Sequence, residues 1–469
     1  MPSHRVAMLG GMNKALLIKL AILAVVSLLI CVVLAQIGGL VYERQQRQRD
    51  ATQSVEQSLA GAQALAGPLL VRECKETWTY IADKKEVTDS RSFWLTATPS
   101  RLQIGGDLGP EERRRGLFKV NTYVAQLNID ARWNSLSTLV PKAEHANGRL
   151  SCDDPAVVAT VSDARGIRTA ELKRDGAALT VSPGTPHPAL RGSLHAKLSG
   201  LQFEVPLTVA MKLNLVGSQR FGVVPAAGST QVSLQSSWPH PSFTGQFLPI
   251  ERQVGVSGFS ARWAVSSLAS SAAADLVSGS ALPELSESDA PYRLKAPETH
   301  PTRKGLDVLA VELIDPVNPY VMSDRAIKYG LMFIALTFVT VGLTELLTGR
   351  RVHPVQYLLV GLALSLFFLL LLSLSEHLPF LVSYLIAAGA AAVVLTQYAA
   401  AMLGGWLRGL AFGGGIALLY GALYVLLSRE QTSLVIGAVM LFGVLAAVMT
   451  LTRKLDWYRL GGERLGRAE

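Results

Sequence analysis

The chain has 469 residues, 49% of them hydrophobic and 17% charged, with a mean hydropathy of +0.31, a balance that excludes one soluble domain and points to a membrane protein. The formal net charge of +9 sits mostly at the ends: residues 1–40 and 329–469 hold 12 of the 44 Lys and Arg but 6 of the 35 Asp and Glu. The 32 basic and 29 acidic residues between them leave the middle nearly neutral, which excludes nucleic acid as the expected partner and marks the terminal excess as a topology signal.

After a cytoplasmic segment at 1–15, the run Leu16 to Leu40 is long enough to cross a hydrocarbon core, which needs about 20 apolar helical residues. Val33 and Ala35 fit the small-residue pattern of a leader cleavage site, but the run exceeds the usual leader core of about 7–15 residues, so an uncleaved anchor is expected. The following "YERQQRQRDATQSVEQSLAGAQALAGPLL" reads as an amphipathic helix that continues until Gly67 and Pro68 break it.

From 41 to 328 the apolar residues alternate in short segments divided by Gly, Pro, Asn and Asp. In "FEVPLTVAMKLNLVGS", Val205, Leu207, Val209, Met211, Leu213 and Leu215 share one face of a predicted strand. "KVNTYVAQLNIDARW", "AVVATVSD", "TQVSLQSSW" and "GVSGFSARW" read the same way, and together they predict an antiparallel β-rich domain, a sandwich or partly closed barrel. The Ser/Ala-rich tract "SSLASSAAADLVSGSA" reads as a loop or a small helix.

Within this domain "SSWPHPSFTGQFLPIER" gathers Trp238, His240, Phe243 and Phe247 among three prolines. Such a segment either binds a peptide or glycan on its rings or completes the β-core, and the second reading is preferred. In "SDARGIRTAELK", Asp163 and Arg165 are placed to shape a turn. The three cysteines are too few for a zinc cluster or a disulfide framework. Cys31 lies in the first apolar run, whereas Cys74 and Cys152 fall in the middle region, where an oxidising compartment would allow them to pair.

Five further spans are expected in a bundle at 329–451: about Tyr329 to Leu347, Tyr357 to Ser375, Phe380 to Leu403, Leu410 to Leu427 and Leu434 to Leu451, with a tail at 452–469. Arg350, Arg351, Arg408 and the basic tail mark one side, and the base-free "SEHLP" marks the other. Both termini are therefore expected in the cytoplasm and the middle domain outside it, with six spans in all. Gly409, Gly413, Ala417 and Gly421 form a small-residue stripe suited to close helix packing within the bundle, with oligomerisation through it as the alternative.

Ionisable groups at a membrane edge are candidate sites because a charge in hydrocarbon is costly. Glu345 falls near the cytoplasmic end of the second span, Arg350, Arg351 and His353 lie between it and the third, and Glu376 and His377 lie just past the third span at the opposite surface. Read as chemistry they suggest transport; read as wet ends of a helix they are anchors, which requires nothing further. No P-loop, G-x-G-x-x-G, H-E-x-x-H or G-x-S-x-G pattern occurs, so no cofactor, metal or catalytic residue is expected.

"SDARGI", "SSWPHPSFTGQFLP", "DRAIKYGLMFIALTF" and "RRVHPVQYLLVGLALSLFFLLLLSLSEH" together resemble the CreD family, also described as cell-envelope integrity or colicin-tolerance proteins, over about Glu43 to Trp457. The resemblance implies a bacterial inner-membrane protein with a large periplasmic domain, made under an envelope or nutrient response. It also implies stress or bacteriocin tolerance as the phenotype, and it brings no cofactor, substrate or active site. "VRECKE" departs from the proline-containing strand end expected there, which makes a Cys74–Cys152 bond a feature of this chain and not of the group. The expected function is non-enzymatic support of the envelope through an interaction domain meeting envelope proteins or lipids. The alternatives are a transporter or channel using the membrane-edge groups, and an envelope enzyme with a site near His240.

Overall fold

A computed structural model of the chain describes residues 14–145, 147–185, 187–188, 190, 192–280, 282, 306–315, 318–348, 352–428 and 433–453. It divides into a helical unit, Met1–Arg47 with Val317–Glu469, and a β-rich unit, Gln48–Pro316. The described helices are α1 (Lys14–Ser58), α2 (Ala272–Val277), α3 (Pro319–Thr348), α4 (Pro354–Ser375), α5 (Phe380–Leu403), α6 (Trp406–Ser428) and α7 (Ser433–Thr452).

Five of these helices, α1 and α3 to α6, are long and apolar enough to cross a membrane, and α7 holds a shorter apolar stretch, Val435–Thr450. Their shared core includes Ile30, Phe333, Phe367, Phe368, Tyr384, Tyr420 and Leu423, while Leu366, Leu385, Val393 and Leu418 stay exposed on the outside of the unit. A helix surface that remains apolar where it meets no protein is suited to lipid tails.

Local chemistry sets the helix ends. α3 starts ten residues before the expected Tyr329, because Pro319 occupies its first turn and the Asn318 side chain accepts the N–H of Tyr320 at 3.0 Å. At α4, Pro354 follows His353, whose ring accepts the Val355 N–H, while Gln356 accepts the His353 N–H at 2.9 Å. Gly404 takes the left-handed conformation that ends α5, and Arg408 donates to the free carbonyl of Leu403 at 3.1 Å.

The strands of the second unit are, in order, β1 (Gln63–Ala82), β2 (Lys85–Ala97), β3 (Arg101–Arg115), β4 (Phe118–Trp133), β5 (Arg149–Cys152), β6 (Ala156–Val161), β7 (Ile167–Arg174), β8 (Ala177–Leu179) and β9 (Ser182–Pro183). They continue with β10 (Ser193–Lys197), β11 (Leu207–Ser218), β12 (Arg220–Val223), β13 (Ser229–Ser236), β14 (Pro241–Gly245), β15 (Glu251–Gly255), β16 (Gly258–Ser266) and β17 (Leu309–Leu313). One sheet runs β14-β17-β12-β1-β6-β10-β9, with β2 and β5 also on β1, and the other runs β15-β16-β13-β3-β4-β11-β7-β8. Both are mixed and not antiparallel throughout as expected, since β1 pairs β12 and β13 pairs β3 in parallel, pairings between segments far apart in the chain that no local alternation encodes. The expectation of a sandwich or partly closed barrel resolves into two facing sheets and no closed barrel.

The core between the sheets takes alternate residues from each: Leu102, Ile104 and Leu108 from β3, Leu127 and Ile129 from β4, and Leu65, Leu70, Val157 and Val311 from the opposite sheet. A second apolar layer, with Ala64, Leu69, Ala156 and Val158, lies against Ala272 and Leu276 of α2. β6 is therefore buried at every position and reads as a continuous apolar run, as strands covered on both faces do.

Two sequence expectations are corrected. α1 ends at Ser58, so Gln63 to Pro68 belong to β1, where both faces of "QALAGPLLV" are buried and tertiary burial overrides helix propensity. Val205 is 51% exposed and precedes β11, which begins after Pro206, a residue without the N–H a ladder needs.

Candidate functional site

The membrane-edge residues separate into two groups at opposite ends of α4, whose 22 residues span about 33 Å. At the first end, the Tyr357 hydroxyl donates to Glu345 Oε2 at 3.1 Å, and His353 caps the helix. Arg350 and Arg351 lie outside the described residues.

At the other end Glu376 caps α4 with its carboxylate 8% exposed, and Arg44 of α1 meets it at 3.2 Å. Tyr320 of α3 is buried beside this pair, and Gln45 donates to its carbonyl at 3.4 Å. His377 is exposed, its Nδ1 3.5 Å from the Ser373 carbonyl. Adjacent in sequence, Glu376 and His377 are not brought together into one site.

Between the two ends several hydroxyls are occupied, while the buried Tyr420 hydroxyl has no hydrogen-bond partner among the described residues. Ser365 donates to Gly361, Thr337 to Phe333 and Thr396 to Ala392, each on its own helix, and Tyr384 donates to the Tyr420 carbonyl at 2.6 Å. This arrangement can join helices, with the Arg44–Glu376 pair holding α1 against α4. Among the described residues it does not lay out a chain of exchangeable protons across α4.

In the β-rich unit, Trp238 packs against the core and its indole N–H donates to the carbonyls of His240 at 3.2 Å and Ile314 at 3.0 Å. Phe243 stands edge-on to Phe259 and Trp263 at 5.8 and 5.7 Å, and the Phe247 carbonyl accepts the Trp263 N–H at 3.2 Å. The rings thus fill the sandwich at β14 and β16, and the His240 side chain remains exposed on the surface.

"SDARGI" forms a clasp. Arg165 pairs with Asp163 at 2.6 Å and donates to the carbonyls of Glu56 and Gln57 at the end of α1. The buried amide of Gln63 donates to the carbonyls of Asp163 and Val216 at 3.0 and 3.1 Å. A Cβ at Gly166 would lie 2.2 Å from the Val216 carbonyl oxygen, so glycine is required there. Burial pushes the Asp163 carboxyl up, but Arg165 and the N–H groups of Arg165 and Gly61 more than offset it, holding the group below the usual aspartate range.

A cluster that sequence reasoning did not single out surrounds Glu76 on β1, whose side chain is fully buried. Its Oε1 accepts the N–H groups of Glu144 and His145 at 2.9 and 3.0 Å, and its Oε2 accepts Arg91 Nε at 3.0 Å. Arg91 also pairs with Glu144, and the His145 ring stacks on Trp78 with centroids 3.8 Å apart. A Cβ at Gly148 would sit 2.3 Å from Glu76 Oε1, so the chain passes the carboxylate only as glycine. Two residues along β1, Cys74 is the cross-strand partner of Cys152 on β5, and the two form a disulfide. The carboxylate and the disulfide together fasten the β4–β5 connection to β1. The signal for this cluster was a lone glutamate at an inward position of a strand.

Among the described residues no three His, Cys, Asp or Glu side chains are placed to hold a metal ion. The profile of a family described as "Inner membrane protein CreD" matches residues 15–458. Inner membrane protein CreD of Escherichia coli (strain K12) is 34% identical over 438 residues, covering 93% of this chain and 92% of that protein. Among solved structures, an M1 zinc metallopeptidase from Deinococcus radiodurans aligns at 10% identity and a TM-score of 0.19, over 36% of this chain and 38% of that one. A leukotriene A4 hydrolase from Saccharomyces cerevisiae aligns at 10% identity and a TM-score of 0.20, over 35% and 27%. Likenesses this slight carry no argument about fold or activity.

Proposed function

We propose that this chain, which belongs to the CreD family of inner-membrane proteins, supports cell-envelope integrity and stress or bacteriocin tolerance by holding a β-rich interaction domain on the periplasmic side of a multi-pass anchor. The observation that carries the reading is the Cys74–Cys152 disulfide inside the β-rich unit of a membrane-spanning chain. Disulfides persist in the periplasm and are reduced in the cytosol. The loop charges of the sequence agree, since Arg408 and the basic tail assign both termini to the cytoplasm.

The proposal assigns no catalysed reaction. Glu345, Glu376 and Trp238 each hold a neighbouring element, and Glu76 and Asp163 are consumed by hydrogen bonds. Partners are envelope proteins or lipids that meet the sandwich.

Leu117, 52% exposed at the β3–β4 turn, provides the test. In cells with a permeabilised outer membrane, a membrane-impermeant maleimide should label Leu117→Cys before lysis, while Cys74 and Cys152 react only after reduction. Labelling of Leu117→Cys only after lysis would put the domain in the cytoplasm and end the proposal.

A further inference from the structure

The solvent face of the β15–β16–β13–β3–β4 sheet is not flat. It carries an open, shallow trough of about 510 Å³. The ladder registers set two neighbouring cross-strand rows along it. One row is Asn128, Gly105, Ser233, Arg262 and Glu251. The next is Gln126, Asp107, Gln235, Ser260 and Gln253. Five strands make four spacings of about 4.8 Å, so the trough is about 19 Å long.

Gly105 opens it. A glycine inside a strand weakens the strand and usually marks a bulge, a bend, or a close approach by a neighbour or ligand. Here the pairing of β3 with both β4 and β13 runs through Gly105 without a shift. A Cβ at Gly105 would meet nothing within 4 Å. Gly106 is different, because its Cβ would strike the Leu127 side chain at 2.5 Å. The packing thus requires Gly106 but not Gly105, and the missing side chain at 105 exposes the strand floor between the longer amides.

The lining chemistry selects the occupant. Leu234 and Ala261 at the floor are buried in the core, and apart from Gly105 and Gly106 the other lining residues carry polar or charged side chains. Its charges balance, Asp107 and Glu251 against Arg252 and Arg262, and Glu251 and Arg262 pair with each other. What remains is a band of amides and hydroxyls, which both donate and accept. That combination complements a neutral, extended, polyhydroxylated chain and selects neither a polyanion nor an apolar peptide.

We propose that this trough is a glycan-binding site for neutral oligosaccharide segments carrying hydroxyl and acetamido groups. The proposal deepens the envelope-interaction reading and rests on it, and it names the ligand class. The test uses the full chain in lipid nanodiscs, free of alkyl-glycoside detergent, titrated with chitotetraose as the neutral probe and with a sulfated polysaccharide as the anionic one.

Wild type should bind chitotetraose saturably. Gly105→Trp should weaken binding at least tenfold while melting no lower than wild type, and the exposed pair Gln126→Ala with Asn128→Ala should weaken it severalfold. No saturable binding by wild type, unchanged binding in both variants, or preference for the sulfated probe would overturn the assignment. Because binding is measured in vitro, a negative result leaves the labelling test of the domain's location untouched.

Discussion

At the scale of single residues, Glu76 ties two distant pieces of the β-rich unit together, and its ionisation state controls that tie. The backbone N–H of His145 is the main reason its carboxyl lies below the usual glutamate range; burial opposes, and the Glu144 N–H and Arg91 add to the lowering. A carboxyl whose pKa is lower folded than unfolded contributes stability above its unfolded value of about 4.3, and the contribution is lost as pH falls through the folded value. Glu76→Gln should therefore melt below wild type at pH 7, with the gap closing in acid below about pH 4. A gap that stays constant with pH would show that the carboxylate charge is not what holds the connection. Little of this was legible in sequence: Cys74, Glu76 and Trp78 share a strand face, but Arg91, Glu144 and His145 reach Glu76 only through the fold. Glu376 was legible as a membrane-edge charge, while its partner Arg44 comes from the far end of the chain.

Among elements, the small-residue stripe of α6 shows how a four-residue spacing meets real packing. Four residues turn a helix by about 400°, so such a stripe drifts about 40° per step and cannot follow one neighbour for long. Gly409 and Gly413 face α5, where an added Cβ would lie 2.5 Å from the Ala400 Cβ and 1.8 Å from Thr396 Oγ1. Ala417 and Gly421 are exposed. Gly413→Leu should overpack the α5–α6 contact and destabilise the protein by roughly 1–3 kcal/mol, whereas Gly421→Leu should leave it unchanged or more stable. Thermal unfolding of the two variants in nanodiscs checks the pair, and equal effects would mean that the contact does not distinguish the two glycines. The small-residue stripe itself was readable from the sequence, as was the alternation of β4, β11 and β13. Where α1 stops was not, because the segment after Ser58 carries helix-forming residues that the sheet claims.

Across the whole molecule, the composition shift alone separates apolar helical segments from a β-rich middle, since burial in lipid and burial in a sandwich leave different periods in the chain. The strand order could not be read the same way. The parallel pairs β1–β12 and β3–β13 join segments with long intervening loops and strands, and no local pattern encodes such partners. The trough at Gly105 exists only once five strands are aligned.

The most direct test is complementation of a deletion strain's envelope-stress defect by Glu345→Gln, Glu376→Gln and His377→Ala at matched abundance. If the helices serve as an anchor, all three restore tolerance to the wild-type level, even where Glu376→Gln, having lost its pair with Arg44, needs stronger expression to reach that abundance. Loss of tolerance at wild-type abundance in any of them would place chemistry in the membrane helices and contradict a function carried by the β-rich unit.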